Sequence, residues 1–177
     1  VAVSTGLTMV APRVFGVTDV APKLRKALIG KLPDEGALYA LQGAGFDGME
    51  CQTWNAAPAA AEKARATADR LGMSIHSVLR GWCNFNSADE SKVRDDIASV
   101  ERALGTSRIL GADAVLVVPC RVSGGVPNPW EFDYTFDPET LEVSSVVEGS
   151  NVPYREHIAA QNHATRTSTE AIKRLIP

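Results

Sequence analysis

Cysteine is scarce in this chain of 177 residues: Cys51, Cys83 and Cys120 are the only three. They are too few and too widely spaced for a disulfide scaffold or a zinc knuckle. They read as partly buried thiols, because free cysteine is among the commonest buried residue types. Each falls just past a predicted strand, which hints at a shared mouth. Long apolar runs are also missing: none reaches the ~20 residues a membrane-spanning helix needs, so a membrane is not an expected partner. Basic residues show no excess, with 18 Lys and Arg against 21 Asp and Glu, a net charge of −3 and a pI near 5.6. A phosphate backbone demands a basic footprint, so nucleic acid is disfavoured as a partner.

There is no initiator Met, and no charged residue precedes Arg13. Residues 1–20 resemble the later part of an export signal, an apolar stretch running into a small-residue cleavage zone, although no basic segment precedes it. A remnant of such a signal would imply export, for example to the periplasm. The alternative is an N-terminal arm laid on the domain of a cytoplasmic protein. The rest of the chain suits one packed domain, with 45% apolar and 22% charged residues.

The reading centres on Leu110-Gly-Ala-Asp-Ala-Val-Leu-Val-Val-Pro-Cys-Arg121. Its unbroken apolar run, Ala114 to Val118, predicts a strand buried on both faces, as parallel strands covered by helices are. Upstream, Leu24 to Leu32 reads as a first strand and Pro33-Asp-Glu35 as a helix start, with Leu38 and Leu41 inward. Phe46 to Cys51 reads as a second strand with Glu50 at its end. Pro58 to Leu71 is the clearest helix, Ala-rich and stopped by Gly72. Met73 to Leu79 is the third strand. Ser87-Ala-Asp-Glu90 fits a capping box for a helix through Val93, Ile97, Val100 and Leu104 to about Leu110. Beyond the fourth strand, Val122 to Asn151 has no lasting period and reads as a lid or binding loop. Val152 to Ile176 is helical, with Ile158, Ala159, Ile172 and Leu175 expected inward. Repeated βα units make a parallel sheet, open or closed as a barrel.

Gly45-Phe-Asp-Gly-Met-Glu50, Leu71-Gly-Met-Ser-Ile-His-Ser77, Leu110 to Pro119 and a closing helix with Ser168 to Pro177 together resemble the sugar phosphate isomerase/epimerase family. The resemblance implies a xylose-isomerase-like TIM barrel, of which residues 21–177 correspond to the N-terminal half, the first four βα units. It implies an isomerase or epimerase acting on a sugar, sugar phosphate or related polyol by metal-assisted proton transfer. A lyase or dehydratase on a keto sugar or cyclic polyol, or a non-catalytic sugar-binding half barrel, are the alternatives. Family members hold a divalent metal (Mn, Mg, Co or Zn) with residues of later strands, so no metal ligand is expected in this chain. A half barrel leaves open edges, so the resemblance implies either a fragment of a longer protein, the preferred expectation, or completion by a second half-barrel chain or another copy of this one.

Four residues are candidates for substrate contact. Glu50 ends a strand where an unpaired carboxylate would be costly; it contacts a sugar hydroxyl, supports another group that does, or forms a salt bridge to a neighbouring loop. His76 either bonds substrate from the barrel interior or is a satisfied core histidine. Trp82 walls an apolar side of a sugar site or packs on the rim. Arg121 offers paired donors to a phosphate, carboxylate or polyol, unless it pairs with Glu131 or Asp133. His157 and His163, six apart on a helix, point to different faces and cannot form a two-His metal site; both are expected toward solvent.

Overall fold

A computed structural model describes residues 24–122, 134–146 and 154–176. The expected signal remnant or arm, and Glu131 and Asp133, lie outside these residues. Four strands form one parallel sheet in the order β1 (Ala27–Gly30), β2 (Gly48–Cys51), β3 (Ser74–Trp82) and β4 (Ala114–Val118). Between them run α1 (Glu35–Gly43), α2 (Pro58–Arg70) and α3 (Glu90–Leu110). The fold is therefore α/β with interleaved helices.

Local chemistry accounts for most boundaries. Asp34 caps α1 by accepting from the Ala37 N–H at 2.8 Å, which satisfies one of the free N–H groups of the first turn. Pro58 occupies the first turn of α2, where a missing N–H costs nothing. Gly111 closes α3 at φ +71°, a left-handed position glycine takes without strain. Gly48 is demanded by closeness: a Cβ there would collide with the Ser74 carbonyl of β3.

The helices cover one face of the sheet. Met49, Cys51, Ile75 and Val78 pack with Leu38 of α1, with Ala61, Ala64 and Ala68 of α2, and with Ala103 and Leu110 of α3. A second cluster joins Cys83, Phe85, Val93, Ile97 and Val100 to Ala171 of α4 (Arg155–Lys173), with Val117 against it. Along β4, Val115 and Val117 point to these clusters. Strand alternation sends Ala114, Leu116 and Val118 the other way. That other face is open, with Ile29 54% and Leu116 43% exposed.

Several expectations need correction. β4 is covered on one face, not both: among the described residues the helices pack on the side of Val115 and Val117, while Leu116 stays 43% exposed. The capping box does not form: Asp89 caps α3, accepting from the Ser91 N–H, while Ser87 accepts from Asp89. A carboxylate one residue from the helix start takes the role that the Ser87 hydroxyl was expected to fill. Leu104 is exposed, and α3 instead buries Ala103, Thr106 and Ser107. In α4 the buried positions are Ala164, Ser168 and Ala171, whereas Ala159 and Ile172 are exposed. Small side chains let α4 approach closely, so hydrophobic size misjudges its inner face. Of the stretch Val122 to Asn151, expected as a lid or binding loop, residues 123–133 and 147–151 lie outside the described residues; the rest holds an antiparallel hairpin, β5 (Tyr134–Phe136) with β6 (Val143–Val146). Asn162 of α4 ties it down through both the Val143 N–H and C=O.

One-sided burial makes β4 asymmetric to substitution. Val117→Asp should cost several kcal/mol, since a carboxylate would enter an apolar cluster without a partner. Leu116→Asp should cost less than about 1 kcal/mol. Urea unfolding of the two variants, compared by midpoint, checks the difference.

Candidate functional site

β3 carries the polar chemistry, and two register shifts place it. Against β2, Ile75 pairs with Met49 and Ser77 with Glu50, leaving His76 as the extra residue. Against β4, Leu79 pairs with Leu116 and Gly81 with Val117, leaving Arg80 as the extra one. An added residue disrupts alternation and re-aims its side chain. Both of the strand's central titratable residues are therefore products of these irregularities.

Glu50 and Ser77 lie side by side across the sheet, in a row running Ile29, Glu50, Ser77, Ala114. Glu50 is 8% exposed and Ser77 6%. The Ser77 hydroxyl donates to Glu50 Oε2 at 2.6 Å and lies 2.9 Å from His76 Nδ1. Among the described residues Glu50 forms no salt bridge to a neighbouring loop; a hydroxyl satisfies one carboxylate oxygen. Oε1 has no bond among the described residues. His76 itself is exposed, and it borders a cavity of about 450 Å³ at the N-terminal ends of the strands, with Arg25, Lys26, Asp47, Ser74 and Asp113.

Trp82 and Arg121 sit at the opposite, C-terminal end of the sheet. Trp82 is 52% exposed, and the Arg121 guanidinium stacks on its ring with 4.1 Å between Cζ and the ring centroid. This is a cation–π contact; the acidic partners considered for Arg121, Glu131 and Asp133, lie outside the described residues. Trp82 is five residues beyond Ser77, roughly 15 Å further along the strand. The four sequence candidates thus form two pairs, Glu50 with His76 through Ser77, and Trp82 with Arg121.

Sequence reasoning missed the group that holds the upper pair in place. Arg80 bonds Asp96 of α3 at 2.6 Å, with their side chains only 12% and 14% exposed. It also donates to the Ser99 hydroxyl and to the Trp82 carbonyl, and Trp54 lies against it at 5.0 Å. Asp96 accepts in turn from the Asn84 N–H and side-chain amide. The network clamps the end of β3 and its following loop to α3. A charged residue interrupting an apolar strand was the signal for Arg80; nothing local pointed to Asp96, sixteen residues on.

The thiols lie near this end, and two of the three are buried. Burial raises the Cys83 thiol to about 11, partly opposed by the charge of Arg80. Cys51 is also raised by burial, against the lowering effect of its bonds to Thr53. Cys120 is half-buried beside the Ser168 hydroxyl at 3.5 Å. Of the two α4 histidines, His163 is exposed and lies 3.4 Å from the Asn86 carbonyl. His157 is half-buried instead of facing solvent.

Comparison with known proteins adds little. No protein-family model matches the chain, and no curated protein matches it. Among solved structures it is similar to the apo crystal structure of a 3-keto-D-glucoside 4-epimerase, YcjR, from E. coli. That neighbour is a sugar epimerase. The TM-score is 0.44 at 16% identity, over 52% of this chain and 37% of the other. The matched part is little more than a third of that enzyme, and a likeness at this level carries no argument about activity.

Two outcomes follow from the site's construction. Asp96→Ala should destabilise the chain by about 3 kcal/mol, because Arg80 would be left largely buried and unpaired; thermal or urea unfolding reads this directly. In iodoacetamide labelling at pH 8, Cys120 should react first, with Cys51 and Cys83 modified only after denaturation. Mass spectrometry of the labelled peptides gives the order.

Proposed function

We propose that this chain binds a sugar or related polyol on the open face of its sheet, as part of a carbohydrate isomerase or epimerase of barrel type. The observation that carries the proposal is the exposed Trp82 ring backed by Arg121, at the C-terminal end of a parallel sheet whose open face holds Glu50. α/β folds bind small molecules beyond the carboxyl ends of their strands. An aromatic plate accepts the C–H face of a sugar ring, a guanidinium donates to its hydroxyls, and a carboxylate accepts from them. The motif order that resembles the sugar phosphate isomerase/epimerase family supports the same class.

In this reading Arg121 and Trp82 orient the substrate. Isomerisation and epimerisation both remove a proton from a carbon beside a carbonyl and return it elsewhere. Glu50, roughly 15 Å down the strand, does not reach a single sugar ring held there; with Ser77 on Oε2, its Oε1 is open to a hydroxyl of a ligand that extends along the open face. The divalent metal that the family resemblance implies does not fit the described donors: no three of His, Cys, Asp and Glu converge among the described residues. The proposal therefore assigns no step to a metal.

Saturation-transfer NMR against a panel of aldoses, ketoses and polyols tests the reading. At least one should receive saturation from the protein. Trp82→Ala and Arg121→Ala should each weaken that binding by about tenfold, equivalent to about 1.4 kcal/mol. Absence of transfer to every sugar, or unchanged affinity in both variants, would remove the proposal.

A further inference from the structure

Ser77 has one hydroxyl proton and two neighbours that could take it, Glu50 Oε2 at 2.6 Å and His76 Nδ1 at 2.9 Å. A carboxylate can only accept. With Glu50 as the carboxylate, Ser77 donates to Oε2, so His76 Nδ1 must be the donor to Ser77 Oγ. The neutral imidazole then carries its proton on Nδ1. Its Nε2 lone pair is left on the exposed part of the ring, without a protein partner among the described residues. If Glu50 holds a proton, the same heavy-atom positions serve the reversed chain: Glu50 donates to Oγ, Ser77 donates to Nδ1, and the imidazole proton sits on Nε2. The order also separates this trio from a nucleophilic triad, because the buried serine lies between the other two groups and its proton is not directed at a base that faces substrate.

We infer that Glu50, Ser77 and His76 form a proton relay joining the buried carboxylate to water in the cavity at the N-terminal ends of the strands, with Ser77 as the coupling residue. In the delivering direction, Nε2 takes a proton from water. The Nδ1 proton moves to Ser77 Oγ as the Ser77 proton moves to Glu50 Oε2. The imidazole ends neutral with its proton on Nε2, and Glu50 ends as a carboxylic acid. The reverse sequence returns the proton to water and restores the carboxylate. No redox partner or co-reactant is required. The relay gives Glu50 an exchange route on the side away from Trp82 and Arg121, so that a substrate seated at that end need not block it. Its existence does not rest on the sugar reading of the open face.

The tautomer of His76 tests the relay without any substrate. In the ¹⁵N-labelled chain, with the pH raised until the histidine ring shifts stop changing, ring nitrogen shifts distinguish Nδ1–H from Nε2–H, and loss of one set in His76→Gln assigns the residue. The wild-type chain should show Nδ1–H. Ser77→Ala should convert His76 to Nε2–H, and Ser77→Thr, which keeps the hydroxyl, should retain Nδ1–H. Nε2–H in the wild-type chain while the Glu50 side-chain ¹³C shift reports a carboxylate overturns the relay, as does Nδ1–H that persists in Ser77→Ala; the wild-type spectra decide even if a variant fails to fold. The sugar titration is separate: a correct tautomer in a chain that binds no sugar refutes the sugar reading and leaves the relay standing.

Discussion

Among the described residues, helices cover one face of the parallel sheet and not the other, and the rest of the structure follows from that asymmetry. On the covered face, small alanines of α2 let the helix settle against Met49, Ile75 and Val78, and apolar burial there is the main source of stability. On the open face, Ile29, Leu116 and Trp82 remain in contact with water. Glu50 and Ser77 occupy the middle of that face, nearly buried between neighbouring strands. A carboxylate at such a place requires a donor, and the Ser77 hydroxyl directly across the register supplies it.

β3 is the strand through which this arrangement becomes a site. It is the longest of the four, and its two register irregularities put His76 and Arg80 where plain alternation would not. The lower irregularity turns an imidazole toward Ser77. The upper one turns a guanidinium toward α3, where Asp96 and Ser99 hold it. Arg80 then bonds the Trp82 carbonyl, so the exposed tryptophan rests on a clamped backbone. Arg121 follows β4 and meets Trp82 across the last register pair, Trp82 with Val118.

Much of the fold was legible because its elements carry strong local signals. Pro58, the alanine run and Gly72 mark α2, and Ala114 to Val118 matches β4 residue for residue. Gly48 in the Gly45 to Glu50 string is explained by the approach of Ser74, a contact no single-strand pattern reveals. Coverage was misjudged for a related reason: an apolar run reports that burial is available, not how many faces receive it, so Leu116 was expected to be dry. In α4 the buried face is built from Ala164, Ser168 and Ala171, and hydrophobicity ranked the larger, exposed Ile172 above them. Within the site, Glu50, His76, Trp82 and Arg121 were visible as polar or aromatic residues at strand positions. Ser77 and Asp96 were not, because their roles depend on partners 27 and 16 residues away.

The central claim is that one face of this sheet is sealed and the other, which holds the candidate site, is open. Hydroxyl-radical footprinting read by mass spectrometry tests it most directly, because methionine and tryptophan are both reactive side chains whose labelling is governed by access. The account predicts rapid oxidation of Trp82 and detectable labelling of Leu116 and Ile29, with Met49 and Met73 protected at 2% and 5% exposure. Oxidation of Met49 at the rate of a free methionine, or protection of Trp82 and Leu116 together, would contradict it.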